Sequence, residues 1–246
     1  MLIEENDKLR FGAKSALFAQ DSDSEQIAYS QSSMSICAEI EPAQKSSDVA
    51  SKASFAIPSI KVCGVTDPEI AAFAAQNGAD YIGMILTPGF RRSVTLALAK
   101  QIADAARENG SIPVGVFVSA QLSDIESTCH DLSIELVQAY QFSSVFPKHL
   151  KRIFINESDA TFRTDCDFLL MESGKPGSGE KMDENNFSFP LVKPWFIAGG
   201  LNPENVKATI LRYRPDGVDV SSGVEKEGLK DRELILEFIK EVKGCE

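Results

Sequence analysis

The sequence predicts an α/β fold, a (β/α)8 barrel of the TIM type over residues 57–246, preceded by a polar N-terminal extension. Three observations carry this. From Ile57 onward, short apolar runs alternate with helix-like stretches. Most of the runs are apolar almost throughout, as strands of a parallel sheet buried on both faces are. Polar and glycine-rich residues gather where the runs stop, and in a barrel the active site lies at that end of the strands.

Residues 1–56 are rich in Ser, Ala, Gln and Glu, as in SQSSMS and QKSSDVASKAS, and sustain no apolar period of 3.6 or 2. They read as a disordered or loosely attached extension, or as an upstream segment without a role, with Met34 in frame as an alternative start. IKVCGV (60–65) is the first strand. Thr66-Asp67-Pro68-Glu69 then reads as a capping box opening a helix that runs to about Asn77. YIGMIL (81–86) and VGVFV (114–118) follow as strands, with helical spacing over 95–108 and 122–132. IELVQAY (134–140), KRIFIN (151–156) and FLLMES (168–173) are strands four to six. The stretch between Asn156 and Asp167 is too short and polar for a crossover helix, so helix 5 is expected to be missing or reduced to a turn. WFIAGG (195–200) leads into a helix over 203–213, and GVDVSSG (217–223) into one over 231–243. Eight βα units in about 190 residues make a compact barrel. A doubly wound open sheet is the alternative.

At 246 residues the chain suffices for one barrel or two small domains, and its 43% hydrophobic share is ordinary for a globular protein. A formal charge of −11 argues against nucleic-acid partners, so any bound phosphate must be held by backbone N–H groups and a few placed cations. No apolar run approaches the roughly 18–20 residues of a membrane span. The acidic start, with Glu4, Glu5 and Asp7, suits neither a signal peptide nor an Arg-rich transit peptide. Five cysteines, Cys37, Cys63, Cys129, Cys166 and Cys245, are scattered and never spaced C-x-x-C, which suits a reducing cytoplasm and no metal cluster. His130 and His149 are the only histidines, so proton transfer is expected to rest on carboxylates, Cys, Lys or Tyr.

The strand ends supply such groups. Cys63 ends the first strand, Arg91 and Arg92 follow the second, Gln138 and Tyr140 end the fourth, and Glu172 ends the sixth. Gly199 and Gly200 end the seventh, and Asp219, Ser221, Ser222 and Gly223 run off the eighth. AGGLNPENV (198–206) and DVSSGVE (219–225) are glycine-rich turns after strands seven and eight, where barrels often hold a phosphate. Gly177-Ser178-Gly179 is a third such turn. The alternative is that these glycines only make tight βα turns.

KVCG, GADYIGMI, RRSV, PVGVFV, ELVQ, PGSG, AGGLNPENV and GVDVSSGVE occur in an order and spacing that resemble the phosphoribosylanthranilate isomerase family over about residues 60–246. AGGLNPENV followed by DVSSG is specific, because indole-glycerol-phosphate synthase shares the phosphate logic but not this wording. The resemblance implies a barrel with no cofactor and no metal. It also implies an Amadori rearrangement of a phosphorylated small molecule in tryptophan biosynthesis, in a cytoplasmic monomer or homodimer. Residue by residue, it implies Cys63 as general base and Glu172 as general acid, where the family has Asp. Arg92 would bind the substrate carboxylate, with Arg91 as its rival, and Gln138 and Asp219 would bind substrate. Gly177, Ser178, Gly179, Gly199, Gly200, Ser221, Ser222 and Gly223 would bind phosphate. On sequence alone the alternatives are that Cys63 is a small apolar filler, Glu172 a solvated loop residue, and Asp219 a brace of strand eight. The chain also departs from the family at Tyr140, where His is frequent, and at Glu180, where Lys is frequent. Two other readings stand beside the isomerase: the related aminoaldose isomerase of histidine biosynthesis, and a catalytically degenerate barrel that only binds a phosphosugar or a protein partner.

Overall fold

A computed structural model describes residues 56–139, 146–156, 167–172 and 194–245. The expected N-terminal extension up to residue 55, the segment expected to lack helix 5, the Gly177-Ser178-Gly179 turn, Tyr140 and Glu180 lie outside the described residues.

The eight expected strands all form: β1 (Ser59–Val62), β2 (Tyr81–Ile85), β3 (Ile112–Phe117), β4 (Leu136–Ala139), β5 (Lys151–Asn156), β6 (Phe168–Glu172), β7 (Trp195–Ala198) and β8 (Gly217–Val220). Each pairs in parallel with its sequence neighbour, and β8 pairs with β1 to close the barrel, which rules out the open-sheet alternative. The closing register sets Lys61 opposite Asp219. Around the strands lie α1 (Pro68–Asn77), α2 (Leu96–Glu108), α3 (Leu122–Leu132), α4 (Val206–Tyr213) and α5 (Arg232–Lys243).

The helices over 95–108 and 231–243 begin one residue later than expected, after Thr95 and Asp231 as caps, and two other helix starts differ for a visible reason. The cap of α1 is Asp67 rather than Thr66: its carboxylate accepts from the Glu69 N–H at 2.8 Å. Pro68 fills the first helical position, where a missing N–H leaves nothing unsatisfied. The last helix before β8 starts at Val206, not at residue 203. Asn202 and Asn205 hold the intervening residues in a turn: Asn202 Oδ1 accepts from the Glu204 and Asn205 N–H groups, and Asn205 Nδ2 donates to the Gly200 carbonyl at 2.8 Å. The NPEN of the sequence thus pins the glycine turn that precedes it. One element was unexpected, a short hairpin of β9 (Glu225–Lys226) and β10 (Leu229–Lys230) whose turn residues Glu227 and Gly228 both have positive φ.

Strand alternation sorts the side chains into two cores. Ile60, Val62, Ile82, Met84, Leu169, Ile197, Val218 and Val220 face outward and pack with the helices in one large cluster. Val114, Val116, Leu136, Ile153, Ile155, Leu170 and Phe196 fill the barrel interior with Cys63 and Ala198. Tyr81, Phe168 and Phe196 form a ring cluster inside, with centroids 5.6–6.1 Å apart. Gly217 makes room for it, since a Cβ there would lie 1.5 Å from the Phe196 ring. The inward positions nearer the C-terminal strand ends, Lys61, Cys63, Gln138, Glu172 and Asp219, break this apolar pattern.

Candidate active site

A pocket opens at the C-terminal ends of the strands. Its lining comes from Cys63 after β1, Ile85 of β2, Val116 of β3, Gln138 of β4, Glu172 of β6, Ala198 of β7 and Asp219 of β8. The turns add Arg92, Val118, Gly199, Gly200, Leu201, Ser221, Ser222 and Gly223. Every sequence-predicted site residue among the described ones therefore borders one cavity. A second cavity between β7 and α4 shares Gly199 and Gly200 but is otherwise lined by residues such as Ala208, Thr209, Arg212 and Tyr213. Its lining holds no carboxylate or thiol. His130 and His149 are exposed and away from that pocket.

Cys63 is almost fully buried, and its N–H donates to the Val220 carbonyl at 2.8 Å. Gly83 of β2 packs against the thiol: a Cβ there would stand 2.9 Å from Sγ. Burial pushes the thiol pKa up. Lys61 pulls it down, Asp219 pushes it up and Lys230 pulls it down, leaving it above the ordinary thiol value. Beneath it lies Lys61, with no exposed surface. Its ammonium donates to Gln138 Oε1 at 2.7 Å and to Asp219 Oδ2 at 2.9 Å. Burial works against that charge, but the neighbouring Asp219 and Cys63 outweigh it and lift the Lys61 pKa above its ordinary value. The Asp219 carboxyl is lifted by burial and held back by Lys61, Lys230 and Arg92. Its Oδ1 is buried and has no hydrogen-bond partner among the described residues.

The two arginines separate. Arg92, with 15% of its side chain exposed, borders the pocket, and its Nη1 donates to Ser221 Oγ at 2.6 Å and Glu225 Oε1 at 2.8 Å. Arg91 is 58% exposed and reaches outward to Glu225 Oε2 at 2.7 Å and the Gly228 carbonyl at 3.0 Å. Ser221 Oγ in turn donates to the Cys63 carbonyl at 2.9 Å, so its hydroxyl ties the loop after β8 to the end of β1. Lys230 closes the cluster on Glu225 Oε1 at 2.9 Å and the Ser221 carbonyl at 2.8 Å. Burial raises the Glu225 pKa, but hydrogen bonds from Lys230 and Arg91 and the charges of Lys230 and Arg92 win, bringing it down to about 2.

The glycine turns meet above β7 and β8. Gly199 and Gly200 have φ of 95° and 63°, a conformation that side chains disfavour. Gly223 crosses so close that a Cβ would lie 1.8 Å from the Leu201 carbonyl oxygen. Only glycine permits this backbone-to-backbone approach. It gives the rim a surface suited to an anion. Among the described residues no group of three or more His, Cys, Asp or Glu side chains is disposed to hold a metal ion.

Lys61, Glu225 and Lys230 were not singled out from the sequence. Lys61 had a legible signal, because it stands two residues before Cys63 on a strand and so shares its inward face. Glu225 and Lys230 had none, since their roles depend on a hairpin whose turn lacks the Asn-Gly or Asp-Gly signature.

Comparison with known proteins places these features in a family. Residues 60–241 match the family model described as N-(5'phosphoribosyl)anthranilate (PRA) isomerase. N-(5'-phosphoribosyl)anthranilate isomerase 1, chloroplastic, of Arabidopsis thaliana is 36% identical over 207 residues, covering 76% of this chain and 75% of that one. The isomerase of Chlamydia caviae is 35% identical over 201 residues, covering 75% of this chain and 96% of its own. A solved phosphoribosyl anthranilate isomerase in complex with reduced 1-(o-carboxyphenylamino)-1-deoxyribulose 5-phosphate superposes with a TM-score of 0.63 at 28% identity. That match spans 76% of this chain and 99% of the solved one.

Proposed function

The chain belongs to the N-(5'-phosphoribosyl)anthranilate isomerase family, and on that premise we propose how its own residues carry the reaction. The reaction converts N-(5-phosphoribosyl)anthranilate to 1-(2-carboxyphenylamino)-1-deoxyribulose 5-phosphate, a step of tryptophan biosynthesis. The observation that carries the reading is the convergence of Cys63, Glu172, Arg92, Gln138 and Asp219 with two glycine turns on one pocket.

The Glu172 carboxylic acid protonates the ribose ring oxygen, and the C1–O bond opens to an iminium conjugated with the anthranilate nitrogen. The Cys63 thiolate then removes the proton from C2, and the electron pair moves into C1–C2 as the iminium becomes an enolamine. Protonation at C1 and loss of the O2 proton give the ketose. The iminium is itself the electron sink. A positioned acid and a positioned base contribute about 10²–10⁴-fold each. Holding the phosphate and the carboxylate at opposite ends of the substrate supplies much of the remainder. Arg92 takes the carboxylate in a bidentate fork, with Glu225 and Ser221 fixing its guanidinium. Gly199, Gly200, Ser222 and Gly223 hold the phosphate through backbone N–H groups, and the Gly177-Ser178-Gly179 sequence is assigned to phosphate binding by the family resemblance alone. The Ser221 hydroxyl is engaged by Arg92 and Cys63, so its share in phosphate binding is that of its backbone.

We place the isomerase in residues 57–246, acting as a monomer or homodimer in the cytoplasm. No helix among the described residues is long and apolar enough to cross a membrane. The Arabidopsis relative is chloroplastic by name, so imaging a tagged full-length chain decides between cytoplasm and organelle. The test of function supplies anthranilate, phosphoribosyl pyrophosphate and the upstream transferase, and follows loss of phosphoribosylanthranilate fluorescence. Turnover in wild type that disappears in Cys63→Ser supports the assignment. A folded wild type with no turnover would leave a barrel that binds its ligand without reacting.

A further inference from the structure

We propose that Lys61 is a positioning residue of this active site: its buried ammonium, held by Gln138 and Asp219 beneath Cys63, supplies the positive charge against which the Cys63 thiol gives up its proton. This rests on the reading of Cys63 as the base.

An ammonium has three N–H donors. Here one meets Gln138 Oε1 at 2.7 Å and a second meets Asp219 Oδ2 at 2.9 Å. Cys63 stands two residues further along the same chain, on the same inward face, and is buried beside it. Gln138, Asp219 and Cys63 all border the pocket, whereas Lys61 itself lies inside the barrel with 0% exposure. Stability does not explain such a group. Burying an ion pair costs several kcal/mol per ion in desolvation, and apolar residues of like volume are often as stable. Apart from Gln138 and Asp219, the residues buried around it inside the barrel form an apolar cluster with Cys63.

The other charges near the thiol do not substitute for Lys61. Lys230 is committed to Glu225 and to the Ser221 carbonyl, and Arg92 to Glu225 and Ser221. Glu172 borders the pocket from β6 and, when ionised, opposes a thiolate. Lys61 is therefore the one cation among these groups that is buried on the same inward face as Cys63.

Asp219 and the thiolate compete for that cation. Asp219 Oδ2 holds Lys61 while its Oδ1 has no partner among the described residues. A substrate N–H or O–H that donates to Oδ1 draws off part of the carboxylate charge. More of the field of Lys61 then falls on the sulfur. The thiol proton leaves to solvent, the thiolate is ready to take the C2 proton, and no oxidant or reductant is involved. Ligand binding and ionisation of the base are thereby coupled through one buried ammonium.

The test is the pH profile of Cys63 alkylation by iodoacetamide in the full-length protein, read for each cysteine by peptide mass spectrometry. Cys129 is an internal control, since burial pushes its thiol to about 12. In Lys61→Met the Cys63 inflection should move up, with alkylation at pH 8 slowed roughly tenfold or more, the consequence of a one-unit shift. In Asp219→Asn it should move down and alkylation should quicken, because the competing charge is gone. General loosening of the barrel would speed alkylation in both variants, so shifts of opposite sign separate an electrostatic role from a structural one. If Lys61→Met fails to fold, Lys61→Met/Asp219→Asn removes both charges, and its inflection should lie above that of Asp219→Asn. An unmoved inflection in Lys61→Met, or in the double variant relative to Asp219→Asn, overturns the proposal. So do shifts of the same sign in Lys61→Met and Asp219→Asn. Wild-type turnover in the fluorescence assay is independent of these titrations: an inactive wild type sinks the functional reading, while an active enzyme with an unmoved inflection sinks only the role of Lys61.

Discussion

The end of β6 carries the residue on which the proposed chemistry is most exposed to test. Glu172 ends β6 and borders the pocket. Glu172→Gln preserves shape and most hydrogen bonds but cannot protonate the ring oxygen. We expect kcat to fall by about two to four orders of magnitude, the usual worth of a positioned acid, with KM little changed. Steady-state kinetics at neutral pH check this, and full kcat would move the acid elsewhere. Glu172→Asp shows whether the backbone suits the longer side chain: retained activity means the family's reach still fits. The arginines give a second residue-scale prediction. Arg92→Ala should raise KM at least tenfold, because a buried charge-assisted fork is lost, while the exposed Arg91→Ala should change it about twofold or less. Equal small effects would show both to be solvated charges. Cys63, Arg92, Gln138, Glu172 and Asp219 were legible in the sequence because each sits at or just past the end of an apolar run. Lys61 was legible only by alternation, because it lies inside such a run and shares the inward face of Cys63 two residues on.

At the scale of elements, the β9–β10 hairpin does work that no strand-end rule predicts. It places Glu225 against Arg91, Arg92 and Lys230, and so ties the loop after β2 to the loop after β8. The carboxyl is held at about 2, below its ordinary 4.5. A depressed folded-state pKa gives stability that is full above the unfolded value and is lost as pH falls through the folded one. The contribution of Glu225 should therefore be complete above about pH 5 and fade from there towards pH 2. Urea unfolding of wild type and Glu225→Gln at pH 7 and pH 3 checks this: the gap should shrink markedly at pH 3. A gap that stays constant means Glu225 acts through packing. The same variant should raise KM, since Arg92 loses its brace. The hairpin escaped sequence reading because its strands are two residues each and its turn is Glu-Gly. The helix starts were misplaced by one and three residues for a related reason, as side-chain oxygens and Pro68 choose between neighbouring positions that periodicity treats alike.

For the molecule as a whole, the barrel was legible because eight buried strands leave eight apolar runs, and closure follows once the first and last of them pair. That pairing also bears on what precedes it. β1 begins at Ser59, whose N–H donates to the Asp216 carbonyl at 3.0 Å, and the register runs from Ser59 opposite Gly217 to Val62 opposite Val220. Ile57 is 42% exposed, so the chain enters the barrel from its surface. The family match likewise begins at residue 60. Every described bond that closes the barrel or builds the pocket is therefore made by Ser59 or by residues after it. Removing residues 1–55 should leave a cooperative folding unit, with a midpoint within a few degrees of the full chain, about what 1 kcal/mol shifts a domain of this size. It should also leave kcat/KM within about twofold, because less than 1 kcal/mol of transition-state stabilisation is then in play. Calorimetry and the fluorescence assay on the truncated and full-length proteins decide the matter. A tenfold loss of kcat/KM, or loss of the cooperative transition, would mean that the extension contributes to the barrel or its pocket, and that the isomerase domain begins well before residue 57.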